Sequence, residues 1–383
     1  MKQVLSGLTA LALLLAGQAS AQQGVAPESV TFAQVAATEG PAGALGQGMN
    51  LGLRAAFDEA NRAGGIHGRM IRLDAFDDGY EPELSATQTR DVIAGDAHLA
   101  LVGPVGTPTS QATQPLATEA GLPFIGPFTG AAFLRNPTLK NVFNVRASYD
   151  AETETWIRHL VDERGMKHIA ILFQDDGFGR AGLSGTVAAL ERRGMTLVAQ
   201  APFARNTTAV RGALLDLRRS KPDAVVMVGP YHPMAEFVRT ARQVKFDATF
   251  VNISFVGTDA FVRELGAEGA GVIISQVVPY PYDISIPVVR RYTEALAALD
   301  PAATPGFVSL EGYLVGRFTL AGLEAAGPEL TRAHFLATLQ ELRDVDIDGM
   351  VLKFGPGDNQ GLDDVFLTVI SPDGEIMQLG AGG

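Results

Sequence analysis

Thr107, Thr109 and Ser110 close the stretch Gly103-Pro-Val-Gly-Thr-Pro-Thr-Ser110, three hydroxyls on a loop otherwise built of glycine, proline and one valine. The apolar run Leu99–Gly103 before it reads as a strand, and a helix opens near Ser110. Backbone N–H groups at a helix start, joined by hydroxyls, suit a carboxylate or similar anion. No nucleophile–base pair, metal-ligand set or basic patch accompanies the loop. The implied chemistry is to hold a small molecule, not to transform it.

Other motifs are weaker. Gly177-Phe-Gly-Arg-Ala-Gly182 matches the dinucleotide fingerprint after a candidate strand, Ile169–Gln174. Asp175 and Asp176 precede it and would repel a pyrophosphate, and the next strand carries no acid for a ribose, so tight helix–strand packing explains the glycines. Asp344-Val-Asp-Ile-Asp-Gly349 imitates the front of a calcium loop, but the position of its closing carboxylate falls on Gly355. Asp77-Asp78-Gly-Tyr-Glu-Pro82 reads as helix capping or a face for a partner protein more readily than as a cation site. The histidines show no ligand spacing, and Ser184 does not stand on a Gly-x-Ser-x-Gly elbow. No metal, cofactor or enzymatic activity is expected.

Open α/β sheets bind ligands at the carboxyl ends of their strands. The residues that fall there are Gly106, Thr107 and Thr109, then Phe128, Thr129 and Gly130 in Gly126-Pro-Phe-Thr-Gly-Ala131. A second series supplies Tyr149, Phe178, Tyr231 in Gly229-Pro-Tyr-His232, and Ser254. The first series offers hydroxyls and N–H groups, the second mostly aromatic rings. A cleft between them suits a small solute with a carboxylate end and an apolar body.

The elements that must position these residues alternate along the chain. Candidate strands are Val30–Val35, Ile71–Phe76, Leu99–Gly103, Leu122–Gly126 and Val142–Ala147, then Ile169–Gln174, Thr196–Phe203, Ala224–Gly229, Thr249–Phe255 and Gly271–Val278. Helical patterns such as Met234–Val244 separate them, which implies parallel sheets covered on both faces. Two such series in about 360 mature residues imply two doubly wound parallel-sheet lobes. The chain is expected to pass between them at Arg146–Asp150, Val278–Asp283 and Asp348–Phe354. Residues 22–147 with 279–348 then form one lobe, and 148–278 with 349–383 the other; Gly380–Gly383 should fray.

Met1–Ala21 carries Lys2, an apolar core Leu8–Leu15 and the cleavage pattern Ala19-Ser-Ala21, as an export signal does. No later apolar run is long enough to cross a membrane. There is no cysteine, so the folded core alone holds the exported protein together. A net charge of −12 disfavours nucleic acid and anionic lipid as partners.

The order and spacing of several segments resemble the type I periplasmic solute-binding proteins of ABC transporters, branched-chain amino-acid group. They are Ala44-Leu-Gly-Gln-Gly48, Glu59-Ala-Asn-Arg-Ala-Gly-Gly-Ile-His-Gly-Arg69, Asp77-Asp78, Gly103–Thr109, Gln174-Asp-Asp-Gly-Phe-Gly179 and Tyr231-His-Pro233. The resemblance spans the mature chain. It implies two lobes joined by a three-strand hinge, closing on a small solute and, as a monomer, delivering it to an inner-membrane permease. It further implies that Gly106–Thr109 hold the ligand carboxylate, with Thr107 in the hydroxyl position. Phe128–Gly130 add contacts and Tyr231 covers the ligand. Amino-acid binders of this group pair the ligand ammonium with an acid where this chain has Ser254, leaving Asp175 or Asp176 as substitutes. A carboxylate without an ammonium, or an aromatic or amide-bearing solute, is therefore the expected ligand. A periplasmic sensor speaking to a membrane kinase is the alternative, and an amide- or ester-processing enzyme a remoter one.

Overall fold

The computed structural model describes residues 23–379. The export signal with its cleavage site and the Gly380–Gly383 tail lie outside the described residues. Strands β1 (Ser29–Ala36), β2 (Met70–Asp77), β3 (Leu101–Val102), β4 (Phe124–Ile125) and β5 (Val142–Phe143) form a parallel sheet in the order 2-1-3-4-5. Strands β6 (Ile169–Gln174), β7 (Ala199–Phe203), β8 (Ala224–Val228), β9 (Thr249–Asn252) and β10 (Ile273–Gln276) repeat the pattern as 7-6-8-9-10. A hairpin, β11 (Asp344–Ile347) and β12 (Met350–Lys353), stands apart. Strands β13 (Phe366–Ile370) and β14 (Ile376–Gln378) then extend the second sheet antiparallel beyond β10.

Helices α1 (Gly43–Arg62), α2 (Pro82–Gly95) and α3 (Thr107–Glu119) link the first strands, while α4 (Tyr149–Ile157) opens the second series. There α5 (Gly177–Glu191), α6 (Arg211–Arg219), α7 (Tyr231–Gln243) and α8 (Thr258–Leu265) alternate with strands. The chain then returns through α9 (Pro287–Leu299), α10 (Phe307–Ala326) and α11 (Arg332–Glu341). Helix α10 packs hard on α1. A Cβ on Gly52 would lie 1.9 Å from Ser309 O, and one on Gly312 would lie 2.4 Å from Met49 O, so only glycines allow the two axes this close. Strands β3 and β4 end early because Gly103 and Gly126 take φ of +60° and +59° and turn the chain out of the sheet.

The chain passes between lobes at 145–148, 277–286 and 362–365, in segments not laddered as strands, the middle one closing in turns at Tyr280–Ile286. The last passage comes later than expected. The β11–β12 hairpin straddles 348, and bonds from Lys353 N to Gly361 O and Gly361 N to Asn144 O hold residues 353–361 on the first lobe. Asp348 secures the hairpin to α9 and α10 through Arg291 and Arg317, each at 2.8 Å.

Candidate functional site

The carboxyl ends of both sheets face each other, and the lobes are closed. Arg205 Nη2 meets Glu81 Oε2 at 2.6 Å, Asn206 Nδ2 donates to Gly79 O at 3.1 Å, and Gln174 Nε2 donates to Tyr80 Oη at 3.3 Å. Gly106, with φ +102°, caps α3 and lets Tyr80 approach; a Cβ there would fall 2.3 Å from its ring. Thr107 opens the helix, and its Oγ1 lies 2.6 Å from Thr129 Oγ1. Burial pushes the Tyr149 phenol up to about 12, against the opposing pull of Arg146 and the Thr129 and Thr107 hydroxyls. Gly130 O accepts from Tyr149 N at 2.7 Å, and a Cβ on Gly130 would strike that nitrogen at 2.5 Å. Ser110 Oγ is buried with no partner. Thr109 departs from expectation: its hydroxyl turns back to Val105 O and Gly106 O, closing the first helical turn, so it braces the loop.

Rings fill the space between the lobes. Phe128 and Tyr80 from the first lobe lie 5.3 and 5.9 Å from Phe255 of the second. Phe178 lies 4.6 Å from Phe255 and 5.5 Å from Tyr149. Tyr231 reaches a different point, accepting from Ala44 N at 3.3 Å.

Ser254 leads to the part that sequence reasoning missed. Arg146 and Glu152 are fully buried and paired, Nη2 to Oε1 at 3.1 Å. Glu152 also accepts from Ser254 N and Ser254 Oγ, both at 2.9 Å, and from Ser275 Oγ. Arg146 donates to Ser254 Oγ as well, and its guanidinium lies over the rings of Phe128 and Tyr149 at 4.9 and 5.8 Å. Glu311 on α10 stands 3.7 Å from Arg146 Nε. Arg146 Nε and Nη1 have no hydrogen-bond partner. Burial lowers the Arg146 pKa, but Glu311 and Glu152 overcome it and raise it. Burial pushes the Glu311 carboxyl up to about 7. A charged chain, Glu311–Arg146–Glu152, thus runs from lobe to lobe behind the rings. Its signal in the sequence is a single charge inside each of two apolar runs, Val142–Ala147 and Phe307–Leu314.

The weaker motifs resolve into structure. Asp176 Oδ1 caps α5, accepting from Phe178 N at 2.9 Å, and a Cβ on Gly179 would meet Gln174 O at 1.8 Å. Asp175 pairs with Arg180 at 2.7 Å at the surface, and Asp176 Oδ2 takes Gln174 Nε2 at 2.6 Å. Asp348 and Gly349, both at positive φ, are the hairpin turn of β11–β12. Asp78 accepts from Tyr80 N and Ser85 Oγ at the start of α2; burial, mainly, pushes it up to about 6. Among the described residues no group of acids, histidines or cysteines gathers as a metal site.

Two like-wound sheets, strand ends face to face and three passages between them constitute a clamp, and a sequence family described as periplasmic binding protein matches residues 29–375. The chain belongs to that family. A solved structure titled as a possible leucine/isoleucine/valine-binding protein from Rhodopirellula baltica SH 1 is 36% identical, with a TM-score of 0.88, covering 92% of this chain and 96% of that one. A Leu/Ile/Val-binding protein from Rhizobium johnstonii is 26% identical, over 79% of this chain and 81% of its own. A chemotactic signal transduction system substrate-binding protein from Halobacterium salinarum is 30% identical over 53% of this chain and 51% of its own. The chain is thus a solute-binding protein of two α/β lobes, as its sequence implies. No described helix is long and apolar enough to cross a membrane.

Proposed function

We propose that this periplasmic binding protein is exported through cleavage after Ala21, captures a small carboxylate by lobe closure and, as a monomer, delivers it to an ABC-type permease. The division into lobes follows the sheets: 23–145 with 287–361, and 149–276 with 366–379. Thr107, Thr129 and Tyr149 hold the carboxylate beside the N-terminus of α3, where helix dipole and hydroxyls favour an anion. Phe128, Phe178 and Phe255 pack against the apolar body, and Tyr231 ties the closed lobes together.

One observation carries the ligand class: the acid near Ser254 already has its cation. Glu152 is neutralised by Arg146, so an α-ammonium entering there would face a satisfied carboxylate and a guanidinium. Arg146 instead keeps Nη1 without any partner while its Nε faces Glu311 at 3.7 Å, and Nη1 calls for an acceptor. The solute is a carboxylate with a carbonyl or hydroxyl oxygen in place of the ammonium, on an aliphatic or aromatic body.

A thermal-shift screen of residues 22–383 tests this, with 2-oxo, 2-hydroxy and aromatic carboxylates set against the corresponding amino acids. A ligand at about a hundred times its Kd adds about 2.7 kcal/mol. Stabilisation by oxo or hydroxy acids and not by leucine supports the reading; stabilisation by leucine alone refutes it. The name of the Halobacterium relative favours a second use of the same clamp, presenting the solute to a signalling receptor. Genes for a permease and an ATPase beside this one argue for transport, and a receptor gene for sensing.

A further inference from the structure

A mostly apolar cavity of about 710 Å3 lies outside the cleft and shares no residue with the candidate solute site. One wall is the end of α4 with the π-helical turn Arg158–Glu163. Another comes from two of the passages between lobes, with Val278 and Tyr280 from one and Val365 from the other. Phe307, at the start of α10 in the first lobe, and Leu367 of β13 also line it. The volume is that of a small-molecule pocket. π-Helical turns are rare and concentrate at functional sites.

The polar groups gather at one side. His159 Nδ1 lies 2.7 Å from Glu163 Oε2, and Arg158 Nε lies 3.6 Å from Glu163 Oε1. A carboxylate only accepts, so Nδ1 carries the hydrogen. His159 Nε2 is buried without a partner. The Glu163 side chain is about half exposed and can turn to water at little cost, releasing Arg158 and the Nδ1–H of His159 to another anion.

We propose that this hinge cavity is a second small-molecule site, taking an apolar molecule with one anionic head that sits against Arg158 and His159. The cavity takes Phe307 from one lobe, the α4 wall from the other and two passages between them. The bound molecule therefore joins the lobes in their closed arrangement. It binds the closed state in preference to the open one, and by linkage it raises affinity in the cleft.

The probe is 8-anilinonaphthalene-1-sulfonate, an apolar body with one anionic head. Fluorescence titration should give one site. Val365→Trp, which fills the cavity from a loop position, should weaken it at least about tenfold, a loss of about 1.4 kcal/mol. Arg158→Glu, an exposed charge reversal that leaves the core untouched, should weaken it measurably, whereas Thr107→Val should not. Closure is read separately. This cysteine-free chain allows spin labels on Asp91→Cys and Arg218→Cys, one on each lobe. The probe should shift their distance distribution to the closed separation, and fail to do so in Val365→Trp. Unchanged probe affinity in both cavity variants, loss of the probe in Thr107→Val, or a distance distribution that the probe leaves unmoved overturns the proposal.

Discussion

Replacing Arg146 with methionine removes the middle of the charged chain while keeping most of the side-chain volume. Glu152 and Glu311 are then left buried without their cation. Breaking a buried pair by removing one partner costs about 3–5 kcal/mol. Unfolding entropy of about 2.1 cal/mol/K per residue over about 360 residues converts that loss to a fall in Tm of about 4–7 °C. Glu152→Gln alone strands the guanidinium, though Glu311 at 3.7 Å softens the loss. The double variant strands neither partner of that pair. It should therefore be more stable than the sum of the single losses allows, by a coupling on the order of 2–3 kcal/mol. Calorimetric unfolding of the wild type, both single variants and the double variant closes the cycle. Cation–π losses at Phe128 and Tyr149 occur in Arg146→Met and in the double variant alike, so they cancel from the coupling. Additivity to within about 0.5 kcal/mol would refute the argument that Arg146 neutralises Glu152, and with it the exclusion of an ammonium.

Thr107→Val keeps the shape of the side chain and removes the hydroxyl opposite Thr129; solute affinity measured by calorimetry should fall at least about tenfold, or about 1.4 kcal/mol. An unchanged affinity would take Thr107 out of the site. Burial, chiefly, raises Glu311 from 4.5 to about 7, so the folded protein holds a proton there that the unfolded chain has released. The stability this contributes is complete below about pH 4.5 and is lost as pH rises through about 7, on the order of 3 kcal/mol. Urea unfolding across that window should show Glu311→Gln gaining on the wild type as pH rises, whereas parallel curves would show that Glu311 does not titrate there.

The lobes were legible because burial writes itself into composition. Strands covered on both faces must be apolar throughout, and Ile169–Gln174 and Ala224–Val228 read as strands for that reason. The passage near Asp348 was misplaced because an acid-rich turn resembles a linker, and only contact with Arg291 and Arg317 makes it part of the first lobe. Strands β13 and β14 lie at the sheet's edge, where β13 is only partly buried and β14 mostly exposed, so neither carries the unbroken apolar run of a central strand. Position along the strands brings Thr107, Phe128 and Phe178 to the space between the lobes, since their place depends only on topology. Thr109 misled because a hydroxyl beside a helix start can turn inward as well as outward. The Arg146–Glu152 pair joins a passage between lobes to the first turn of α4, with Ser254 and Ser275 arriving from much later in the chain. The lone charge in each apolar run marks Arg146 and Glu311, but composition and spacing do not show that Glu152, Ser254 and Ser275 come to meet Arg146.

The second sheet is not finished until almost the last residues have been made. Strand β10 lacks its outer neighbour until Phe366–Ile370 arrives, and α10 reaches α1 only after the whole second series has been laid down. Neither lobe is complete when its own run of strands has been made, because the first waits for α10 and the second for β13. Under the proposed export, in which the chain is threaded unfolded through a membrane, this delay is useful. The weave that makes the clamp would then also keep the newborn polypeptide loose enough to cross.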